Sequence, residues 1–189
     1  VGFGYIHCGD PIGIPDAEWL WDRDSVGRTQ GFAFLQMTPR SFGRIGSLML
    51  EQGRWRGREL ISSTYFDEGR QGTAANPGYG FLWMTNRGEH YFDTGPSLQR
   101  IDRRWMRPLP ADAFALTGML NQQVVVVPSL DIVVVRMGLP ADLFADPFGD
   151  VDLRRPGWDH RFYRLLMGGV TDVAVPDAGD WTKDPDPPP

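Results

Sequence analysis

Apolar residues gather in three short blocks past the middle of the chain: residues 113–116, 124–127 and 132–135. The last two are almost wholly β-branched, and such side chains fit a pleated surface better than a helix. Each block is continuous rather than alternating, the pattern of strands covered on both faces. Between them, Pro128-Ser129-Leu130-Asp131 is turn chemistry, because Pro fixes φ and Asp bonds nearby backbone. This predicts a β-hairpin at the centre of a sheet. Residues 113–116 add a third strand, which runs into the glycine-containing bend Thr117-Gly118-Met119.

Elsewhere the spacing is helical. Thr38-Pro39 is an N-cap followed by proline at the first helical position. Phe42, Ile45, Leu48, Met49 and Gln52 recur at helical spacing, which predicts Phe42, Ile45 and Met49 as the buried stripe and Gly53 as the stop. Ser62 or Ser63 starts a shorter helix running to about Arg70. Residues 159–167 form a third, with Phe162, Leu165 and Leu166 on one side and Gly168-Gly169 at its end. Residues 16–23 are extended, with Trp19 and Trp21 on one face, and residues 32–35 and 81–85 are short strands. The stretches 72–80, 87–110 and 138–156 read as loops. The fold class is α+β, an antiparallel sheet with flanking helices. It forms one domain over residues 14–170, preceded by a loop or truncated edge at 1–13 and followed by a Pro- and Asp-rich tail at 171–189 that should be disordered.

Composition narrows the function. The chain has 189 residues, and its net charge of -5 with few basic residues in no stripe excludes a nucleic-acid footprint. No apolar run approaches the length of a membrane span or a signal segment. The single cysteine, Cys8, excludes an internal disulfide. His7, His90 and His160 have no metal-ligand spacing, so neither a metal nor another cofactor is expected. Arg100, Arg103, Arg104 and Arg107 read as a solvated face, with a clamp for an acidic group as the sharper alternative. The seven tryptophans read as core packing, with pocket lining as the minority role.

Thr117-Gly118-Met119-Leu120-Asn121-Gln122, followed by residues 123–127 and Pro128, resembles the third active-site motif of the serine β-lactamase-like hydrolases. That superfamily includes class C β-lactamases, penicillin-binding proteins, family VIII esterases and 6-aminohexanoate-dimer hydrolases. The resemblance extends in order along residues 11–168. Pro11-Ile12-Gly13-Ile14 is similar to the family's Pro-Leu-Gly-Met, and Trp21-Asp22, Asp24 and Gly27 follow its pattern. Met37-Thr38-Pro39-Arg40, Gly53-Arg54-Trp55-Arg56-Gly57 and Tyr79-Gly80-Phe81-Leu82-Trp83 resemble later segments. The resemblance is to the C-terminal part of the β-lactamase/transpeptidase-like fold. It implies that the Met119 backbone N–H faces a developing oxyanion, with Thr117 and Gly118 as the strand end beside it. Asn121 and Gln122 would stiffen the bend, and Tyr79 and Trp83 would line the pocket.

The resemblance also shows what this chain lacks. The family's mechanism needs a Ser-x-x-Lys turn for the nucleophile and its proton acceptor, and a Tyr-x-Asn or Ser-x-Asn motif. Lys183 is the only lysine, with no serine three residues before it, and neither second motif occurs. In the family both precede the Pro-Leu-Gly segment, so they are expected upstream of Val1. A chain opening on Val rather than Met fits a processed, truncated or incompletely sampled product. Two functions follow: a serine hydrolase segment acting on a small ester or amide once the upstream half completes it, or a non-catalytic binding module that keeps the pocket wall. With strand and helix partners missing, the chain should self-associate through an uncovered sheet edge.

Overall fold

The computed structural model describes residues 9–30, 33–92, 99–118, 122–138 and 156–182. In chain order the strands are β1 (Trp19–Trp21), β2 (Leu35–Met37), β3 (Arg54–Trp55), β4 (Arg58–Glu59), β5 (Met84–Thr85), β6 (Tyr91–Phe92), β7 (Arg100–Ile101), β8 (Phe114–Gly118), β9 (Gln122–Val127) and β10 (Ile132–Arg136). The helices are α1 (Gly9–Ile12), α2 (Pro39–Leu50), α3 (Ser63–Gly69) and α4 (Pro156–Gly168). The architecture is α+β. A four-stranded antiparallel sheet in the order β10-β9-β8-β5 is accompanied by three two-stranded ribbons, β1-β2, β3-β4 and β6-β7.

The two faces of the central sheet are covered differently. Val126 and Phe114 join Met49, Phe66 and Trp83 in a cluster under α2 and α3. On the opposite face Ala115, Val125 and Val127 pack with Tyr163 and Met167 of α4 and with Met106 and Leu109. Val124 through Val127 are therefore all buried, and each such side chain withdrawn from water contributes about 1.5–3 kcal/mol. Helix α2 lies very close to the sheet because it carries glycine at the crossing. A Cβ on Gly46 would overlap the Val133 Cγ1 methyl and come within 3.0 Å of Val124 Cγ1.

The hairpin forms at the predicted residues, with Ile132 opposite Val127 and Arg136 opposite Gln123. A 3-10 turn over Pro128–Leu130 closes it, and Asp131 takes the left-handed conformation at φ 54. β9 is interior, but among the described residues β10 is the outer strand of this sheet and all five of its residues are only half-buried, whereas the apolar runs by themselves place the whole hairpin at the sheet's centre. Facial burial is written in the sequence as apolar content; lateral neighbours are not.

Several local expectations shift. Thr38 caps α2, its Oγ1 accepting from the Ser41 N–H at 3.2 Å, and the Gly53 N–H closes the far end on Leu48 O at 2.8 Å. The buried face of the helix, however, is Ser41, Gly46, Leu48 and Met49, with Phe42 and Ile45 half-exposed. The strand expected at 32–35 sits at Leu35–Met37, after Phe34 turns the chain at φ 64. The strand expected at 81–85 is cut to Met84–Thr85 because Leu82 adopts φ 63. Within 87–110, expected to be a loop, β6 and β7 pair. Buried Asn86 then holds the following bend, donating to the carbonyls of Met106, Leu109 and Pro110 and accepting the Met106 N–H.

On α4 Tyr163 and Met167 are buried and, of the side expected to pack, Phe162 and Leu166 lie partly buried against the same cluster, whereas Leu165 is 70% exposed. Residues 174–182, expected to be disordered, form a strap on α4. Arg164 pairs with Asp177 and Asp180, His160 Nε2 meets Gly179 O at 2.9 Å, and the Trp181 ring meets His160 at a tilt and has the Arg103 guanidinium over it. A Pro/Asp composition lacks a core of its own, but it can be pinned by cations and aromatics of a neighbouring element.

Gly46→Val should destabilise the chain by about 1–3 kcal/mol through overpacking against Val133, and Gly46→Ala by less. Urea titration of the two variants beside the parent chain measures this, and equal midpoints would contradict the close helix–sheet contact. The strap makes a second prediction. Hydrogen bonds from Arg164 hold the Asp177 carboxyl at about 2 instead of 3.8. A depressed folded value means that the contribution is complete above 3.8 and is lost as pH falls toward about 2. In Asp177→Asn the melting temperature should fall less steeply across that window than in the parent.

Candidate functional site

The candidate site is the end of the β8–β9 hairpin. Strand pairing runs to the tip, with Thr117 opposite Gln123 and Gly118 opposite Gln122. Paired residues of an antiparallel ladder point to the same face, so side chains sort in register. Thr117, Gln123 and Arg136 belong to the α4 face, while Leu116, Val124 and Val135 belong to the α2 face. Thr117 and Gly118 are exposed. Met119 and Asn121, named above for the oxyanion donor and the bend, lie outside the described residues.

Gln122 extends the sheet with its side chain. Its Nε2 donates to Gly138 O at 3.0 Å, and its Oε1 accepts the Gly138 N–H at 2.9 Å. The carboxamide copies one rung of a β-ladder and ties the tip to the residues following β10.

Beneath Thr117 lies a buried polar chain that sequence reasoning missed. The Tyr163 hydroxyl donates to Gln123 Oε1, and Gln123 Nε2 donates to Asp159 Oδ2 at 2.9 Å. All three residues are buried. Burial first, and then the Asp159 charge, push the Tyr163 phenol well above its ordinary value, with Arg136 opposing. This hydroxyl remains protonated and serves as a donor. The available signals were the glutamine heading a run of valines and an Asp–Tyr pair at i, i+4 on a helix.

The other candidates are placed elsewhere. Tyr79 is half-buried and bridges Met84 on the outer side of β5; burial raises its phenol. Trp83 is 1% exposed. Its ring stacks on Phe66 at 5.4 Å and meets Tyr65 edge-on and Phe114 at a tilt, so its place is in the core. The arginines split. Arg103 is buried, donates to the carbonyls of Arg104 and Trp105, and lies over the Tyr91 ring. Arg100 pairs with Asp102, and Arg104 with Glu89. Among the described residues these side chains form no common clamp, and no group of three or more His, Cys, Asp or Glu is placed to hold a metal. Among the described residues no helix is long and apolar enough to cross a membrane.

Gln122→Ala should accelerate amide exchange at Gly138 while lowering global stability by no more than about 1 kcal/mol, because only a surface pair of hydrogen bonds is lost. Unchanged exchange at Gly138 would show that the carboxamide does not tie the tip.

No protein-family model and no curated protein matches this chain. Among solved structures, a putative 6-aminohexanoate-dimer hydrolase from Bacillus anthracis aligns with a TM-score of 0.46 and 14% identity, over 78% of this chain and 34% of that one. This chain thus spans about a third of that protein's length.

Proposed function

We propose that this chain is the C-terminal part of a β-lactamase-related serine hydrolase that cleaves a small ester or amide through an acyl-enzyme. Within it, the β8–β9 tip is one wall of the active site. The observation that carries the reading is the exposed strand end Thr117–Gly118, whose register is fixed by pairing with Gln122 and Gln123. A backbone donor for an oxyanion must be held before the reaction begins, because a donor that reorganises during it contributes little. A paired strand end, bound laterally to Gly138 and backed by the Tyr163–Gln123–Asp159 chain, meets that need.

Chemistry divides between this chain and polypeptide upstream of it. The residues here supply shape, the strand edge and a main-chain amide at the tip. The attacking hydroxyl and its proton acceptor come from a Ser-x-x-Lys turn and a Tyr-x-Asn or Ser-x-Asn motif, neither of which occurs in this sequence. No lysine precedes Thr117-Gly118. This favours an ester or amide over a β-lactam whose carboxylate a lysine would hold.

The chain alone should hydrolyse p-nitrophenyl acetate at the buffer rate. Protein expressed with the upstream coding region should turn it over, and Gly118→Val in that longer protein should cut kcat on the order of 10²-fold by displacing the adjacent amide. Unchanged kcat in Gly118→Val would sink the wall assignment. An upstream region without Ser-x-x-Lys would favour the second reading, a non-catalytic binding module of the same fold.

A further inference from the structure

The strap over residues 174–182 is held to α4 through side chains. Among the described residues, no hydrogen bond between main-chain groups joins 171–182 to the rest of the chain. The Arg164 guanidinium grips Asp177 with two prongs, Nε at 2.5 Å and Nη2 at 2.7 Å, and reaches Asp180 with Nη1. His160 Nε2 donates to Gly179 O at 2.9 Å. Arg107 Nη1 donates to Thr182 Oγ1 at 3.2 Å, and the Arg103 guanidinium lies 5.3 Å from the Trp181 ring centre and 5.5 Å from that of Tyr91. Gly179 turns the strap at φ 71, its N–H bonded to Asp177 Oδ1 at 3.1 Å.

These anchors are specific but separable from the core. The Asp177 side chain is 63% exposed and that of Asp180 94%, and ion pairs so open to water are weak singly and screened by salt. Between strap and helix runs a cavity of about 1020 Å³, lined by Pro108, Leu165, Met167, Val175, Pro176 and Trp181. The strap therefore bridges α4 instead of packing flat on it. Among its described residues, only Val175 packs partly buried on the cluster of Tyr163 and Met167. A segment with no ladder and few apolar contacts opens before the sheet does.

What the strap grips is the back of the polar line behind the hairpin tip. Asp159 and Tyr163, one helical turn apart, face β9 and bond Gln123. Their chain neighbours His160 and Arg164, also one turn apart, face the strap. A movement of α4 cannot disturb one pair without the other. We propose that residues 174–182 are a detachable ionic latch on the site. Closed, the latch holds α4 against β9 and Gln123 taut beside its strand partner Thr117. Opened by salt, or by loss of its carboxylate–guanidinium pairs, it lets the Tyr163–Gln123–Asp159 line slacken and the tip with it. The latch is a property of this chain, and its effect on turnover rests on the hydrolase reading.

Proton–nitrogen NMR spectra of this chain test the latch. In Asp177→Asn combined with Asp180→Asn, the Gln123 carboxamide and the Thr117 and Gly118 amides should shift toward the positions they take in Tyr163→Phe, which removes the hydroxyl directly. Trp181→Ala, which removes a different anchor, should move the same signals. So should about 1 M NaCl on the parent, where screening acts within about 3 Å, and the double variant should no longer respond to salt. A strap that contributed stability alone would lower the melting temperature and leave these native-state signals in place. Tip signals unmoved in both variants, or a parent indifferent to salt, overturn the latch. In the protein with its upstream region, the double variant should cut kcat on p-nitrophenyl acetate by about three- to tenfold, matching the loss of two exposed pairs. Shifted tip signals with unchanged kcat sink the wall assignment and keep the latch, whereas a lower kcat with unmoved tip signals overturns the latch.

Discussion

The register of β8 against β9 is the constraint on which the rest of this structure depends. Because side chains alternate along a strand, a slip of one residue would exchange every inward and outward position. Gln123 would leave its Tyr163 and Asp159 partners, and the Val125 and Val127 side chains packed under α4 would trade places with Val124 and Val126 under α2. Both faces of β9 are buried, so neither can absorb such a swap. The same register delivers Thr117 and Gly118 to the exposed end and puts Gln122 in reach of Gly138. Packing over the valines thus positions the tip residues, although none of the valines reaches the site.

Helix α2 contributes by proximity. Its Gly46 lets the helix backbone descend onto Val124 and Val133, while Thr38, also bonded to Glu18, fixes where the helix begins. On the other face, α4 presents a tyrosine and an aspartate where a purely apolar stripe would have given a featureless contact. Buried polar groups of this kind cost free energy unless satisfied. Here Tyr163, Gln123 and Asp159 satisfy one another in a line that specifies how α4 sits against the strand. Stability and site geometry draw on the same contacts.

Much of this was legible in the residues. The valine blocks, the Pro128–Asp131 turn, the Thr38 cap and the helical spacing after it are local signals, and the elements they predict form where expected. What was not legible is non-local. Nothing in residues 132–135 says that theirs is the outer strand of the described sheet, and the periodicity of α4 favoured Leu165 over Tyr163 because a tyrosine counts as inward only when a partner such as Gln123 receives its hydroxyl. Leu82 and Phe34 broke expected strands by adopting positive φ, which no residue-level preference would assign to them. Residues 174–182 looked too polar to order, yet Arg164, His160 and Arg103 hold them on α4. At the site, Thr117, Gly118 and Gln122 were recognisable as a motif, whereas Gln123 needed α4 in view before its role could be seen. Trp83 was read as core packing from its residue type, with pocket lining as the role the resemblance implied, and it lies 1% exposed in the core; the neighbouring residues that face solvent are Phe81 and Leu82.

The central claim is that this chain provides a wall and a main-chain donor while the nucleophile belongs to other polypeptide. Its most direct test is to treat the protein expressed with its upstream coding region with a fluorophosphonate and locate the adduct by peptide mapping. The account predicts a single modified serine lying before Val1, with its labelling slowed in the Gly118→Val variant. An adduct on any serine between Ser25 and Ser129 would contradict it.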